Sequence, residues 1–361
     1  MLLLVMWTLR ILVAVLTLAT AASLVGSNQW WIRIFDFPRL QIAVAIILTL
    51  ASYLPLAKRP GFERIDYVML FLAVASLLWQ GALIVRYTPL FPTELAAGPA
   101  DDKSSRITLF ICNVLHDNKQ TQPLLDLIAE TNPDLILLTE PTRRWQDKLA
   151  PLEQEYPHTL LQAQENEYGM LLYSRLELVD PEIRFLIEDE IPSMRTGVKL
   201  RSGAFLTLYG LHPRPPGIKR PDDNGRVDSN LRDGELLMVA KEVEKNDGAP
   251  VLVAGDFNDV AWSHTTRLFQ RTSKLLDPRV GRGMYNTFDA DSYLLRYPLD
   301  HIFASNHFLV AEVRRLPYVE SDHFPMLVTL TFNPEAAAQQ PQPQSRAGDA
   351  EEVEEAINDA K

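Results

Sequence analysis

Three long apolar segments before residue 90 constrain this chain more than any other feature of its sequence. They are Leu2–Val25, Leu40–Ala57 and Ile65–Pro89, and each approaches the roughly 20 apolar residues that cross a bilayer as a helix. Core helices of soluble domains rarely reach this length three times in succession. The sequence therefore predicts a membrane region over residues 1–92 with three transmembrane helices, which makes the lipid bilayer a partner of the chain.

A cleaved signal peptide is the alternative interpretation of the first segment. The small residues of ATAAS (19–23) are typical of a cleavage site. However, the start of the segment is apolar where a signal peptide is basic, and two further apolar segments follow. These features favour a membrane anchor.

Basic residues in the short loops predict the orientation. The loop between the second and third segments, KRPGFER (58–64), holds three basic residues, whereas the loop between the first and second holds Arg33 and Arg39 with Asp36. Because cytoplasmic loops carry the excess of positive charge, KRPGFER is predicted in the cytoplasm. After three spans the remaining chain lies outside it, which predicts a protein of the cell (inner) membrane with an extracytoplasmic soluble domain.

Composition divides the remaining chain into three parts. Residues 93–105 (TELAAGPADDKSS) are small and polar, which predicts a linker. Residues 106–332 combine apolar strand runs such as Leu135–Leu138 and Val251–Ala254 with amphipathic helices such as Leu231–Lys245, which predicts an α/β domain of sheets covered by helices. Residues 333–361 are rich in Ala, Gln, Pro and Glu, which predicts a disordered acidic tail with transient helix near Ala350–Ala360.

The charge is unevenly distributed between these parts. Residues 1–99 carry seven Lys and Arg against four Asp and Glu, and the remainder carries 28 against 42. An acidic soluble domain argues mildly against nonspecific nucleic-acid binding, which depends on phosphate neutralisation by basic residues. Cys112 is the only cysteine, so the sequence has no disulfide framework.

Short polar segments follow or end the apolar strands of the soluble domain. They are CNVLHDN (112–118), LLTEP (137–141), GLHPRPP (210–216), GDFND (255–259), and the late pair LDHIF (299–303) and SDHFP (321–325). Polar side chains at successive strand ends can gather at one edge of a sheet sandwich. Carboxylates, amides and imidazoles gathered in this way are what metal-assisted hydrolysis of a phosphate ester requires.

The order and the sequences of these segments resemble those of the endonuclease/exonuclease/phosphatase superfamily, which includes DNase-I-like nucleases, sphingomyelinases and inositol-phosphate phosphatases. The resemblance covers roughly residues 106–332. It implies a four-layer α/β sandwich, in which two packed mixed β-sheets are flanked by helices, preceded here by the three transmembrane helices. It also implies phosphoester hydrolysis with Mg²⁺ or Mn²⁺ as cofactor.

The resemblance implies a metal side of the site made of three residues. Glu140 corresponds to the family's metal-binding glutamate, and Asp322 resembles its metal-side aspartate. Asn113 corresponds to the asparagine that holds a second carboxylate or the ion's water. From the residues alone, Asn113 has an alternative role as a turn residue and Glu140 as a loop-end charge.

Five further residues are predicted to be catalytic by the same resemblance. Asp256 orients or deprotonates the attacking water, and Asn258 donates a hydrogen bond to a phosphate oxygen. His323 is the catalytic histidine, with Asp300 as its carboxylate partner. His212 resembles the second histidine, which contacts the phosphate and can protonate the leaving oxygen; its usual carboxylate partner in nuclease members has no match here. Asp300 as a helix cap and His212 as a solvated loop residue are the alternatives.

The loop Pro213–Arg232 is the sequence's clue to the substrate. It holds several basic residues, namely Arg214, Lys219, Arg220, Arg226 and Arg232. Arg214 and Arg232 are predicted to contact a substrate phosphate. The alternative is a solvated loop, since Asp222, Asp223, Asp228 and the adjacent Asp233 offset the charge. The other histidines are predicted to lie away from the chemistry: His301 in the core or behind the site, and His116, His158, His264 and His307 on the surface.

Several functions fit this sequence. The first is a membrane-anchored, metal-dependent phosphoesterase that hydrolyses phosphate mono- or diesters, including lipid-linked ones, and three spans before this domain resemble bacterial membrane members of the family. A membrane-tethered DNase-I-like nuclease with nucleic acid as substrate is the second. A non-catalytic binding module and a soluble-metabolite phosphatase are the remaining alternatives.

Overall fold

The membrane region of the computed structural model is helical. The structure describes residues 1–59, 61–99, 102–217, 227–246 and 248–361. The chain begins with helices α1 (Leu2–Ala22), the short α2 (Trp30–Arg33), α3 (Arg39–Tyr53) and α4 (Arg64–Ile84). Within the described ranges α1, α3 and α4 are the three helices long and apolar enough to cross a membrane; short 3-10 turns extend α3 to Leu56 and α4 to Tyr87. The three apolar segments are therefore helices, as the sequence predicts.

These three helices pack into a bundle with a buried polar contact between α1 and the first turn of α4. Met6 and Val13 of α1 pack against Ile46 of α3 and Ala73 of α4. Arg10, the charged interruption of the first apolar segment, donates from Nε to the Asp66 carboxylate at 2.7 Å. Pairing with an opposite charge inside the bundle is what allows a charged side chain in an apolar helix.

The soluble domain alternates strands and helices. Its strands are β1 (Arg106–Asn113), β2 (Leu135–Thr139), β3 (His158–Gln162), β4 (Met170–Ser174), β5 (Leu178–Phe185), β6 (Pro192–Lys199), β7 (Phe205–Leu211), β8 (Val251–Asp256), β9 (Asp300–Ala304), β10 (Phe308–Arg315) and β11 (Met326–Phe332). Its helices are α5 (Gln122–Thr131), α6 (Arg143–Leu149), α7 (Asn230–Lys245), α8 (His264–Ser273) and α9 (Asp349–Ala360).

Among the described residues the strands form two mixed sheets. The first sheet has the order β10-β11-β1-β2-β4-β3 and the second the order β5-β6-β7-β8-β9. In each sheet one central pair is parallel, β1 with β2 and β7 with β8, and its neighbours are antiparallel. A parallel pair brings the carboxyl ends of both strands to the same edge of its sheet, which is where the polar motifs lie.

Apolar side chains form three core layers around these sheets. Leu109 and Leu137 of the first sheet meet Leu208 and Leu252 of the second between the sheets. Helices α5 and α6 cover the outer face of the first sheet, and α7, α8 and α9 cover the outer face of the second. The predicted four-layer α/β sandwich is therefore confirmed.

The C-terminal segment differs from the predicted disordered tail. Residues Asp349–Ala360 form α9, which packs on α7 through Val353, Ile357 and Ala360. Gly234 of α7 allows this contact, because a Cβ at that position would lie 2.2 Å from the Cβ of Ala360. These apolar side chains recur at intervals of four and three residues, which places them on one helix face. They are so few that the overall composition of the segment remains typical of a disordered tail.

The predicted linker also packs against the domain. Leu95 is fully buried in the layer between the sheets, and Ala97 forms a parallel bridge with Val310 of β10. Glu94 accepts a hydrogen bond from the backbone N–H of Asp277 at 2.9 Å. The stretch from residue 94 to 97 is therefore part of the domain's core and edge, and small polar composition alone did not reveal it.

The loop between α1 and α3 contacts the soluble domain directly. Trp262 donates from its indole N–H to the carbonyl oxygen of Asp36 at 2.7 Å. Arg33 donates to the Thr265 hydroxyl at 2.6 Å, and its guanidinium lies 3.9 Å from Asp259. The membrane region and the soluble domain thus share a buried polar junction next to the GDFND segment.

Candidate active site

The polar ends of neighbouring strands converge on one edge of the sandwich. Asn113 ends β1 and Asp256 ends β8, while Glu140 and His212 directly follow β2 and β7. The antiparallel register of β8 and β9 sets Asp300 directly opposite Asp256. The topology therefore gathers the motifs as the strand-end argument predicts.

The backbone at this edge adopts conformations that few residues tolerate. Gly255 has a φ of +139°, and a Cβ there would lie 1.9 Å from the carbonyl oxygen of Leu211. Glu140 and Asn258 have φ values of +65° and +51°, in the left-handed region that disfavours side chains. Such strain, of order 1–3 kcal/mol per residue, persists where the surroundings hold the conformation and is common at functional sites.

Asn113 holds two carboxylates together. Its amide Nδ2 donates to Glu140 Oε1 at 2.7 Å and lies 3.1 Å from Asp256 Oδ2. Its Oδ1 accepts from the backbone N–H of Leu115 at 3.0 Å, which fixes the amide. In this orientation Asn113 positions Glu140 and Asp256, and its oxygen does not face the site.

His323 and Asp300 form a buried pair. His323 Nδ1 lies 2.7 Å from Asp300 Oδ2, and its Nε2 lies 3.5 Å from Asp256 Oδ2. Burial alone would lower the pKa of His323, but the carboxylates of Asp300 and Asp256 raise it to about 10. Ser321 ties this segment to β1, because its hydroxyl accepts from the His323 N–H and donates to the Asn113 carbonyl.

His212 faces the same carboxylates from the other side. Its Nε2 lies 3.8 Å from Asp256 Oδ2 and 3.9 Å from Glu140 Oε1. Burial lowers the pKa of His212 to about 4, so the ring is neutral at pH 7. Asp256 therefore lies between a protonated and a neutral imidazole, whose environments push their pKa values apart.

The donor set at this edge fits a hard divalent cation. Asp322 lines the cleft beside Glu140 and Asp256, and burial raises the pKa of all three carboxyl groups, to about 6 for Asp322. In the described part of the chain no lysine or arginine forms an ion pair with any of them. Clustered carboxylates that no lysine or arginine neutralises are the oxygen ligands that Mg²⁺ and Mn²⁺ prefer.

A second set of ligand atoms, on Asp256, Asp300 and His323, lies within 4.8 Å of one another. The Nδ1 of His323 is already in hydrogen-bond contact with Asp300, a contact that orients the ring and fixes its tautomer. We therefore favour Glu140 and Asp322, together with Asp256, as the residues that would hold a metal, and His323 with Asp300 as an acid–base pair.

The remaining predicted residues lie around this centre. Asn258 lines the cleft, and its amide donates to the carbonyl of Pro213 at 3.0 Å. Arg232 is 1% exposed and donates to the carbonyl of Asn258 at 2.8 Å, so it stabilises the loop that carries Asn258. Arg214 is buried and pairs with Glu188 at 3.1 Å. The structure does not bring either arginine into the cleft that holds Asp256, and Lys219, Arg220 and Arg226 lie outside the described residues.

Other residues near the site escaped the sequence analysis. His116, predicted on the surface, has its ring Nδ1 3.6 Å from Glu140 Oε2, and its backbone N–H donates to the same oxygen. Trp30 and Phe37 line the cleft although they belong to the loop between two membrane helices. Proximity to CNVLHDN was a signal for His116, but no local pattern connects Trp30 to residues more than 200 positions later.

Solved structures of other proteins superpose on part of this chain. A protein of unknown function from Enterococcus faecalis V583 superposes with a TM-score of 0.50 at 15% identity, covering 63% of this chain and 100% of its own. The human Nocturnin catalytic domain gives 0.49 at 18% identity, with 63% and 95% coverage. D. rerio TDP2, in complex with a single-stranded DNA product, gives 0.49 at 15% identity, with 63% and 99% coverage. At such identities these likenesses concern the fold alone.

No curated protein sequence is significantly similar to this chain. The sequence model of the endonuclease/exonuclease/phosphatase family, by contrast, matches residues 111–323. That range runs from β1 to His323, includes each strand end described above, and spans more than half of the 361 residues. The chain belongs to the endonuclease/exonuclease/phosphatase family.

Proposed function

We propose that this protein is a membrane-anchored, divalent-metal-dependent phosphoesterase that hydrolyses phosphate mono- or diesters, including lipid-linked ones. The observation that carries the proposal is the single cleft shared by Glu140, Asp256, Asn258, Asp322 and His323. A divalent ion held by the carboxylates would polarise the phosphate and lower the pKa of a bound water.

The chain's own residues have complementary parts in this proposal. His323, held by Asp300, presents a positively charged N–H towards the developing negative charge on phosphate oxygens. Asp256 lies 3.5 Å from that nitrogen and is placed to orient the attacking water. His212 is the neutral imidazole on the opposite side and can hydrogen-bond the phosphate.

The test is hydrolysis by the purified full-length chain in detergent micelles with Mg²⁺. The substrates are bis-p-nitrophenyl phosphate, plasmid DNA, single-stranded DNA, a phospholipid and an isoprenyl diphosphate. We expect turnover that a chelator removes and that Mg²⁺ or Mn²⁺ restores. Cleavage of DNA alone would favour the nuclease alternative, and chelator-resistant turnover would contradict the metal role.

The same proposal places the catalytic domain outside the cytoplasm, at the cell membrane. With three spans, the loop before α3 and the chain after α4 end on the same side, which agrees with their buried junction. The KRPGFER loop then lies on the opposite, cytoplasmic side. We expect an alkaline phosphatase fusion after Gly98 to be active and a fusion within the KRPGFER loop to be inactive. The reverse pattern of activities would invert this topology.

A further inference from the structure

The lining of the cleft divides by chemistry into two groups of residues. The cleft encloses about 600 Å³, and we call the catalytic carboxylates and His323 its polar end. We call the apolar lining its apolar end and name two walls by their segments: Trp30, Ile34 and Phe37 form the first wall, and Leu295 and Tyr297 form the second. A site for a small water-soluble phosphate needs only the polar end, so the apolar end requires an explanation.

The first wall comes from the membrane region. Trp30, Ile34 and Phe37 lie between α1 and α3, and the ring of Phe37 meets that of Tyr297 edge-to-face at 5.5 Å. The buried Arg33 fixes this wall, because its guanidinium lies within 4.0 Å of Asp233 and Asp259 in the catalytic domain. The wall is therefore built into the fold, and deleting the membrane region would remove it.

The second wall lies beside a helix of the predicted membrane region. Gln41, in the first turn of α3, donates from its amide to the carbonyl of Leu294 at 2.6 Å, which holds the 293–295 loop beside that helix. Tyr293 and Leu294 are 91% and 78% exposed. Tyrosine is enriched where membrane helices meet the bilayer interface. An exposed tyrosine beside the start of α3 therefore favours an opening of the apolar end towards lipid.

Charge argues against a nucleic-acid strand in this part of the cleft. Among the described lining residues Arg33 is the one lysine or arginine, and it already lies close to Asp36, Asp233 and Asp259. A groove for single-stranded nucleic acid combines aromatic platforms with basic residues that track the backbone. The described lining has aromatic rings without such a basic track.

We infer that the apolar end of the cleft binds the hydrocarbon chain of an amphiphilic phosphoester, which enters from the bilayer and presents its phosphate to Asp256 and His323. This inference rests on the proposed phosphoesterase activity and specifies its substrate class. Trp30 and Leu295 are then specificity-determining residues, one on each wall. Each methylene that leaves water for an apolar wall improves binding by about fourfold, whereas a methylene that arrives from the bilayer leaves an equally apolar phase. Selectivity for a long chain should therefore come from its contacts with these two walls.

The test uses two diesters that share one leaving group, p-nitrophenyl methyl phosphate and p-nitrophenyl dodecyl phosphate, with the full-length protein in nanodiscs. We expect kcat/KM to be about 100-fold higher for the dodecyl ester, mainly through KM, which corresponds to roughly three to four methylenes in contact with the walls at about fourfold each. Trp30→Ala and, on the second wall, Leu295→Ala should each reduce this ratio about tenfold. Trp31→Ala is the matched control: Trp31 is 56% exposed and does not line the cleft, so the ratio should stay the same.

The outcomes separate this inference from the proposed function. Equal kcat/KM for both esters would overturn the chain-binding inference and leave the phosphoesterase intact. If the wild type, Trp30→Ala and Trp31→Ala all preferred the dodecyl ester equally, partitioning of the ester into the bilayer would explain the preference. The chain-binding inference would then again be overturned. Absence of turnover on both esters would contradict the proposed phosphoesterase function itself.

Discussion

Replacing His323 with alanine should lower kcat for phosphoester hydrolysis by about 10³-fold. The variant loses the imidazolium that faces Asp256 and leaves Asp300 buried without its partner. The loss should appear in kcat more than in KM, because the group acts on charge that develops in the transition state. Steady-state kinetics on bis-p-nitrophenyl phosphate, at saturating Mg²⁺, measures it directly.

His158→Ala is the matched control for this variant. His158 begins β3, where it pairs with Ser174 of β4. The end of β3 that lies near Glu140 is the other one, at Gln162, so His158 is remote from the site. The control should therefore keep wild-type kcat. If His323→Ala kept more than a few per cent of the activity in folded protein, judged by circular dichroism, the assignment of the acid–base pair would be wrong.

Replacing Glu140 with glutamine should raise the Mg²⁺ concentration for half-maximal activity about tenfold or more. The change keeps the size of the side chain and removes one of the carboxylate charges that we assign to the metal. Asn113 would still reach the remaining side-chain oxygen, so the local structure should persist. Binding of Mn²⁺ followed by electron paramagnetic resonance gives a readout that does not depend on turnover.

A charge-matched control separates local from general electrostatics. Glu153→Gln removes an exposed carboxylate from the turn after α6, and Mn²⁺ affinity should not change. Equal losses of affinity in Glu140→Gln and Glu153→Gln would mean that net charge, and not a ligand at Glu140, controls metal binding.

The sequence was sufficient for the central parts of the fold. Strands β1, β2, β7 and β8 are continuous apolar runs because both of their faces are covered, and such runs are recognisable without a structure. Their ends are followed by the polar motifs, so the convergence of Asp256 with Glu140 could be argued from topology alone. The apolar membrane helices gave an equally local signal.

The strands that escaped sequence reasoning lie mainly at sheet edges. β3, β5 and β10 end the two sheets, and their exposed residues break the apolar pattern. For α9 the sequence predicts only transient helix near Ala350–Ala360; its packing on α7 was not predicted, because only Val353, Ile357 and Ala360 mark its buried face. Arg232 was predicted at a phosphate because it is basic and follows His212, but its burial beneath Asn258 depends on how α7 docks.

The membrane wall of the cleft could not have been predicted from local pattern at all. Phe37 meets Tyr297 across 260 positions of sequence, and this pairing exists only because the loop before α3 docks on the catalytic domain. Aromatic residues in such a loop are equally typical of a simple interfacial anchor.

The junction between the loop before α3 and the catalytic domain means that the proposed enzyme would act on one side of the bilayer only. Helices α3 and α4 form a hairpin that leaves and returns to one face of the bundle, so the cleft of the proposed membrane enzyme would open towards a single leaflet whichever way the protein is inserted. An amphiphile made in the opposite leaflet would have to be flipped before hydrolysis. On this view, transbilayer movement of the lipid, and not diffusion through water, sets the supply of substrate to the site.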